Sequence, residues 1–326
     1  MDRDEVEPEL RELLRAAFGE PPHQVTVAAV RRRVARRRAV EATAGAAAVA
    51  AVISIAVPAL GGVFGSPGPG AGRAHPVIAY VANAGSGTVT PIRTATNTPL
   101  PPIKVGSGPD FIAITPDGKT AYVANGNYQQ GTVTPIRTAT NTALPPIKTG
   151  RTPVAIAITP DGKTAYVASF DSGTVTPIRT ATNTALAPIK TGSDTAAIAI
   201  TPDGKTAYVV NLGSGTVTPI RTATNTALAP IKAGHGIAEI AITPDGKTAY
   251  VANPGSVTPI RTATNTALPP IKLRGNGGAI AITPDGKTAY VANFIQGTVT
   301  PIRTATNTAL PPIKTGYSPD AIAITP

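Results

Sequence analysis

TPDGKTAYVANGNYQQGTVTPIRTATNTALPPIKTGRTPVAIAI occupies residues 115–158, and the rest of the chain from His75 onward is built by repeating it. The opening TPDGKTAYV returns at Thr159, Thr201, Thr243 and Thr283, and a last Thr-Pro pair stands at Thr325-Pro326. The starts are 44, 42, 42, 40 and 42 residues apart. Self-similarity at such a period marks a repeat architecture, in which each unit buries its apolar faces only against its neighbours. Within a unit four short segments read as strands: AIAIT, TAYVAN, TVTPIRT and ALPPIK. Asp-Gly, a Gly-rich stretch and Thr-Asn-Thr separate them, and these are the residues that turns demand.

Forty-odd residues forming four strands make one blade of a β-propeller. The expected fold is therefore all-β: a six-bladed β-propeller of four-stranded antiparallel blades over residues 75–326, with a seven-bladed ring as the alternative. The first unit lacks an opening AIAIT segment, and the chain carries a spare one at Ala321–Thr325. Pairing that C-terminal strand with the first blade would close the ring and remove its exposed edges. In an up-and-down meander, the first and third turns lie at one end of the blade. The second turn and the link to the next blade lie at the other. The first end, PDGK and TATNT, hardly changes between copies, so nearly all individuality falls on the second face.

AYVAN followed by GTVTPIRTATNT resembles the YVTN repeat of bacterial surface-layer-type β-propeller proteins, and it does so six times over residues 77–326. That resemblance implies the strand order given above. It also implies kinship in fold with lactonase-like propellers, which makes a lactonase-like hydrolase a minor functional alternative. Pro91, Pro135 and Pro301 depart from the pattern. Proline inside a ladder removes a donor, so the third and fourth strands are expected to pair only in part.

Ahead of the repeats the composition changes. Leu10, Leu13, Leu14, Ala17 and Phe18 form one stripe of a short helix. RRRVARRR at residues 31–38 then precedes the uncharged stretch Ala42–Phe64, which is long enough to cross ~30 Å of hydrocarbon. Basic residues before a span hold that side in the cytoplasm. The expected organisation is a cytoplasmic helical segment over 1–38, a transmembrane signal anchor over 39–64, a Gly/Pro linker over 65–74 and the propeller over 75–326. The propeller is then extracytoplasmic on a single-pass cell-membrane protein, with secretion after cleavage as the alternative. The layout resembles bacterial membrane regulators, some of them anti-sigma-like, so a sensor signalling through residues 1–38 is the second functional hypothesis.

The chain of 326 residues has no cysteine, which excludes disulfides, thiolate catalysis and c-type haem attachment. Its net charge is +11, spread around the repeats without interleaved aromatics, so nucleic acid is disfavoured and an anionic cell-envelope polymer or a protein is the expected partner of a monomeric ring. Most reactive groups occur six times in equivalent places, an arrangement unlike one asymmetric catalytic site. The expectation is a binding or scaffold module, not an enzyme, with no catalytic residues and no cofactor. Its ligand would meet the variable face through Asp110, Phe111, Tyr128, Arg151, Phe170, Asp171, His235, Glu239, Arg274, Phe294, Tyr317 and Asp320. Asp110 and Asp320 hold equivalent places before inner strands and, in a closed ring, would sit near each other as the weak candidates for a cation.

Overall fold

The computed structural model describes residues 77–126, 131–236 and 239–325. The anticipated helix, anchor and linker of residues 1–74 lie outside that set. Among the described residues the regular structure is β-strand alone, and no helix is long and apolar enough to cross a membrane.

Blade three shows the plan. Pro153–Ile158, Thr164–Ser169 and Thr174–Arg179 pair antiparallel in sequence order. The second pairing runs without a break from Thr164 opposite Arg179 to Ser169 opposite Thr174. The fourth strand comes in two pieces, Thr184–Ala185 and Ile189–Lys190, both on the third strand. The gap between them lies beside Pro177. Its carbonyl accepts from the Leu186 N–H at 2.8 Å, but it has no N–H to give back, so the outer strand bows away over Leu-Ala-Pro. The partial pairing expected of the proline-bearing strand is thus present, and it recurs in every blade. Blade five differs: its turn Asn253–Ser256 is two residues shorter. Thr248–Arg261 and Ile271–Ile282 there run as continuous strands that join blades five and six in one sheet.

The ends of the blades are arranged as the meander requires. The Thr138 hydroxyl donates to the Gly118 carbonyl, uniting the third turn with the first, and Thr180, Thr222, Thr262 and Thr304 repeat the contact at 2.6 Å. On the opposite end the Gly126 N–H donates to the Gly108 carbonyl, joining a second turn to a link.

The core lies between blades. Tyr122, Ala124, Val133 and Ile147 of blade two meet Ile156, Ala165, Val167 and Ile178 of blade three. The tyrosines of blades one to five also reach one blade ahead: Tyr122 Oη donates to Asn183 Oδ1 at 2.6 Å, and Tyr80, Tyr166, Tyr208 and Tyr250 make the same bond to Asn141, Asn225, Asn265 and Asn307. The receiving asparagines hold φ of 52–53°, left-handed backbone that asparagine tolerates well, so the turn aims the carbonyl at the ring. The packing of the repeated tyrosine between blades is therefore found.

Closure is not. Among the described residues Ile78–Asn83 pairs only with Thr88–Arg93, and Ala321–Thr325 joins no sheet. There are five inter-blade cores for six units. The sealed six-membered ring is corrected to an open arc. The physical reason is that, among the described residues, blade six does not pack on blade one, so the spare strand is not delivered to the edge that lacks it.

Candidate functional site

The two ends of the blades differ in what their polar groups are doing. In each PDGK turn the threonine hydroxyl and the lysine N–H both donate to the aspartate, as Thr159 at 2.6 Å and Lys163 at 3.0 Å do to Asp161. These bonds hold the Asp161 carboxyl below its ordinary value, the hydroxyl contributing most. The lysine side chain adds an exposed ion pair at 3.6 Å, worth little in water. That face is saturated by its own turns and repeats itself.

The variable face is not uniform. A shallow cleft of about 460 Å3 opens beside blades three and four, lined by Asp171, Ser172, Gly173, Lys190, Thr191, Gly192, Ser193 and Asp194. Its walls come from the second turn of blade three and the link that follows. Gly173, at φ 60°, lets the turn approach the link so closely that a Cβ would strike the Gly192 carbonyl. Behind the cleft, Thr152 is buried at φ 53°. A β-branched residue in that region is strained by about 1–3 kcal/mol. Its hydroxyl donates to the Asp171 carboxylate at 2.5 Å, and the Arg151 N–H donates to Ser172 Oγ at 2.6 Å. One carboxylate oxygen of Asp171 is thereby fixed by the protein.

Of the residues singled out from sequence, Asp171 lies in this cleft and Arg151 beside it, exposed. Phe170 is a correction: it is 8% exposed, and the loop was read as displaying it. Phe111 is likewise half-buried against the core between blades two and three. Glu239 is half-buried, and its carboxylate accepts the Ile280 N–H of the next blade at 3.2 Å, a structural bond across a boundary. Phe294 is half-buried, and its N–H donates to the Asn276 carbonyl. His235 and Arg274 are exposed elsewhere on the face, Tyr317 stands wholly in solvent, and Tyr128 lies outside the described residues. The pairing of Asp110 with Asp320 depended on closure. Without it Asp110 is half-buried in the second blade and Asp320 is exposed beyond the sixth, and among the described residues no group of three metal-ligating side chains occurs.

Lys190 was missed because it belongs to the repeated Ile-Lys of the rim. Asp194 was not singled out because it is one link residue among several. The readable signal was position: Thr152 and Asp194 stand where other links carry Gly108 or Gly236, and all four have positive φ.

The match of residues 79–313 to the family model described as lactonase, 7-bladed β-propeller, covers most of the chain. The chain belongs to that lactonase family. Membership overturns the expectation that it is not an enzyme, and the family's blade count is seven, not six. The sixfold repetition of reactive groups misled because it weighed the repeated turns; a second turn, a rim strand and a link together build one asymmetric cluster, as Asp171, Lys190 and Asp194 do. No curated protein matches the chain. Among solved structures it is similar to hydrazine synthase of Kuenenia stuttgartiensis, at 23% identity over 75% of this chain and 85% of that one, TM-score 0.62. It is also similar to a functionally unknown protein from Desulfotomaculum acetoxidans, at 19% identity over 75% and 84%, TM-score 0.62. At these identities the likeness is one of fold.

Proposed function

We propose that this propeller is a membrane-anchored binding module of the cell envelope whose ligand docks on the variable face at the cleft of blades three and four. The observation that carries the reading is the convergence of Asp171, Lys190 and Asp194 in one cleft, on the face where the units differ. Loops displayed on a rigid scaffold are where such folds place recognition. Two carboxylates, one ammonium and several hydroxyls and backbone groups suit a polar ligand bearing both hydroxyl and charged groups, as envelope polymers do. The uncharged stretch Ala42–Phe64 behind six arginines supports the anchored placement.

Retention of the full chain on isolated cell-wall polymers, followed across a salt series, tests this. Lys190→Ala and Asp194→Ala are expected to weaken retention about tenfold each, while Lys163→Ala on the repeated face leaves it unchanged. Equal retention of all three variants would overturn the placement.

Family membership favours a second reading at the same cleft, opening of a cyclic ester. Ester hydrolysis needs a group to take a proton from water and a group to stabilise the oxyanion. Asp171, already oriented by Thr152, and Lys190 supply those two chemistries. The check is turnover of simple lactones by the full chain: Asp171→Asn and Lys190→Ala are each expected to lower it about a hundredfold or more. Absence of turnover with and without added divalent metal would remove this reading and leave the binding one standing.

A further inference from the structure

Three places after the tyrosine of the second strand, five units carry asparagine, at Asn83, Asn125, Asn211, Asn253 and Asn293. The third unit carries Ser169 there. The asparagine has a fixed duty at the root of the second turn. Asn211 Nδ2 donates to the hydroxyls of Thr216 at 3.3 Å and Thr218 at 2.9 Å on the next strand. Asn83, Asn125 and Asn293 each hold the corresponding two threonines in the same way. Serine is shorter by the amide group and cannot do this. In blade three the Ser169, Thr174 and Thr176 hydroxyl oxygens are all buried, and among the described residues no protein donor or acceptor meets any of them. Ser169 itself is 0% exposed and Thr176 3%.

The same threonines have further partners in the sister blades, and those are lost as well. Thr134 and Thr218 donate onward to the Val105 and Thr191 carbonyls of the preceding link. Thr176 makes no such bond. Ser214 Oγ lies 2.8 Å from Thr216 Oγ1 in blade four. Its counterpart Ser172 accepts the Arg151 N–H instead, so Thr174 is left without it. Ser169 and Thr174 face each other across the strand pair, and the link closes over them. A Cβ on Gly150 would stand 2.7 Å from Ser169 Cβ and 2.8 Å from Thr174 Oγ1. One exchange, asparagine to serine, thus gathers three unpaired hydroxyls under a backbone roof, where each is costly unless a guest pairs it.

We propose that the root of this turn is a binding site for one internal water molecule, seated where the asparagine amide nitrogen sits in the sister blades. Water donates to Thr174 and Thr176 as the amide does and accepts from Ser169. Three bonds are the usual complement of a buried water. The serine oxygen takes the place of the asparagine Cγ, so the room that remains suits a guest of a single heavy atom. A hard cation is poorly served, because three neutral hydroxyls fall short of the roughly six oxygens it takes. Residues 170–173, which wall the cleft of blades three and four, therefore hang on an exchangeable molecule where the other turns hang on a side chain. This holds whatever the cleft binds.

The test compares the full chain with Ser169→Asn and Asn211→Ser. Long-lived internal waters are counted by oxygen-17 magnetic relaxation dispersion. Ser169→Asn is expected to lose one such water and to raise the urea unfolding midpoint. Amide exchange in residues 170–173 is expected to slow about tenfold, as a fixed side chain replaces the guest. Asn211→Ser, which recreates the arrangement in blade four, is expected to gain one long-lived water and lower the midpoint. Equal water counts in the parent and Ser169→Asn would overturn the proposal. So would a Ser169→Asn chain that unfolds earlier than the parent or fails to fold, since the amide would then have no room beneath Gly150. A parent stabilised by potassium or ammonium chloride but not by choline chloride, with the effect absent in Ser169→Asn, would overturn it in favour of a cation.

Discussion

The bond from each tyrosine to the asparagine one blade ahead joins two requirements that are separate in the sequence. The phenol must lose its water to sit between blades, and burial pushes the hydroxyls of Tyr122, Tyr166, Tyr208 and Tyr250 up to about 12, with the nearby PDGK aspartate adding a smaller push. A folded pKa above the unfolded value of 10.0 means the stabilisation from these rings is complete below pH 10 and is lost as pH rises toward about 12. Alkaline unfolding followed by tyrosinate absorbance and circular dichroism should show both signals changing together in that window. Tyr166→Phe is expected to cost about 0.5–1.5 kcal/mol in urea unfolding, since it removes the hydrogen bond to the half-buried Asn225 side-chain carbonyl. Tyr290→Phe, on a bare face, should change stability by less than about 0.5 kcal/mol. The packing role of the tyrosine was legible from its place in AYVAN. Its partner was not, because Asn183 lies 61 residues from Tyr122 and belongs to another unit's turn. The repeated Asn125 serves the neighbouring strand: its Nδ2 donates to the Thr132 and Thr134 hydroxyls.

Among elements, the strands, their order and the broken rim could all be read from period, turn residues and the misplaced proline, because each is a local property of one unit. The links could not. They differ by one or two residues at positions whose backbone is left-handed, and only the fold shows that Thr152 is strained and hydrogen-bonded while Gly108 is not strained at all. Crowding at the second turn is equally invisible in sequence. Gly118 and Gly173 have similar φ, 69° and 60°, but a Cβ on Gly118 meets nothing whereas one on Gly173 meets the link backbone. Gly118→Ala is therefore expected to cost about 1–2 kcal/mol for its conformation alone. Gly173→Ala adds about 1–3 kcal/mol of overpacking and displaces Lys190–Asp194, so chemical denaturation and ligand retention should both report it.

At the scale of the whole molecule, stability is close to a sum of unit and neighbour terms. Blades two to five each have two interfaces, and blades three and four lie farthest from the ends; blades one and six have one. Hydrogen exchange should accordingly be slowest in the second and third strands of blades three and four and fastest in blades one and six, a gradient that a sealed ring would abolish. The repeat count was plain in the sequence, and so was the coincidence of a missing first strand with a spare last one. What could not be read was curvature. Whether six wedges meet depends on the angle each subtends, which is set by small differences in packing thickness between blades rather than by any motif.

The reach of the tyrosine lock also bears on how the chain acquires its shape. Each ring finds its acceptor 57 to 61 residues downstream, and no lock spans more than one boundary. Nothing in the arc waits for the far terminus. A segment threaded through a narrow pore could therefore fasten each wedge as the next one emerges, in order and without a slack, sticky intermediate trailing behind it.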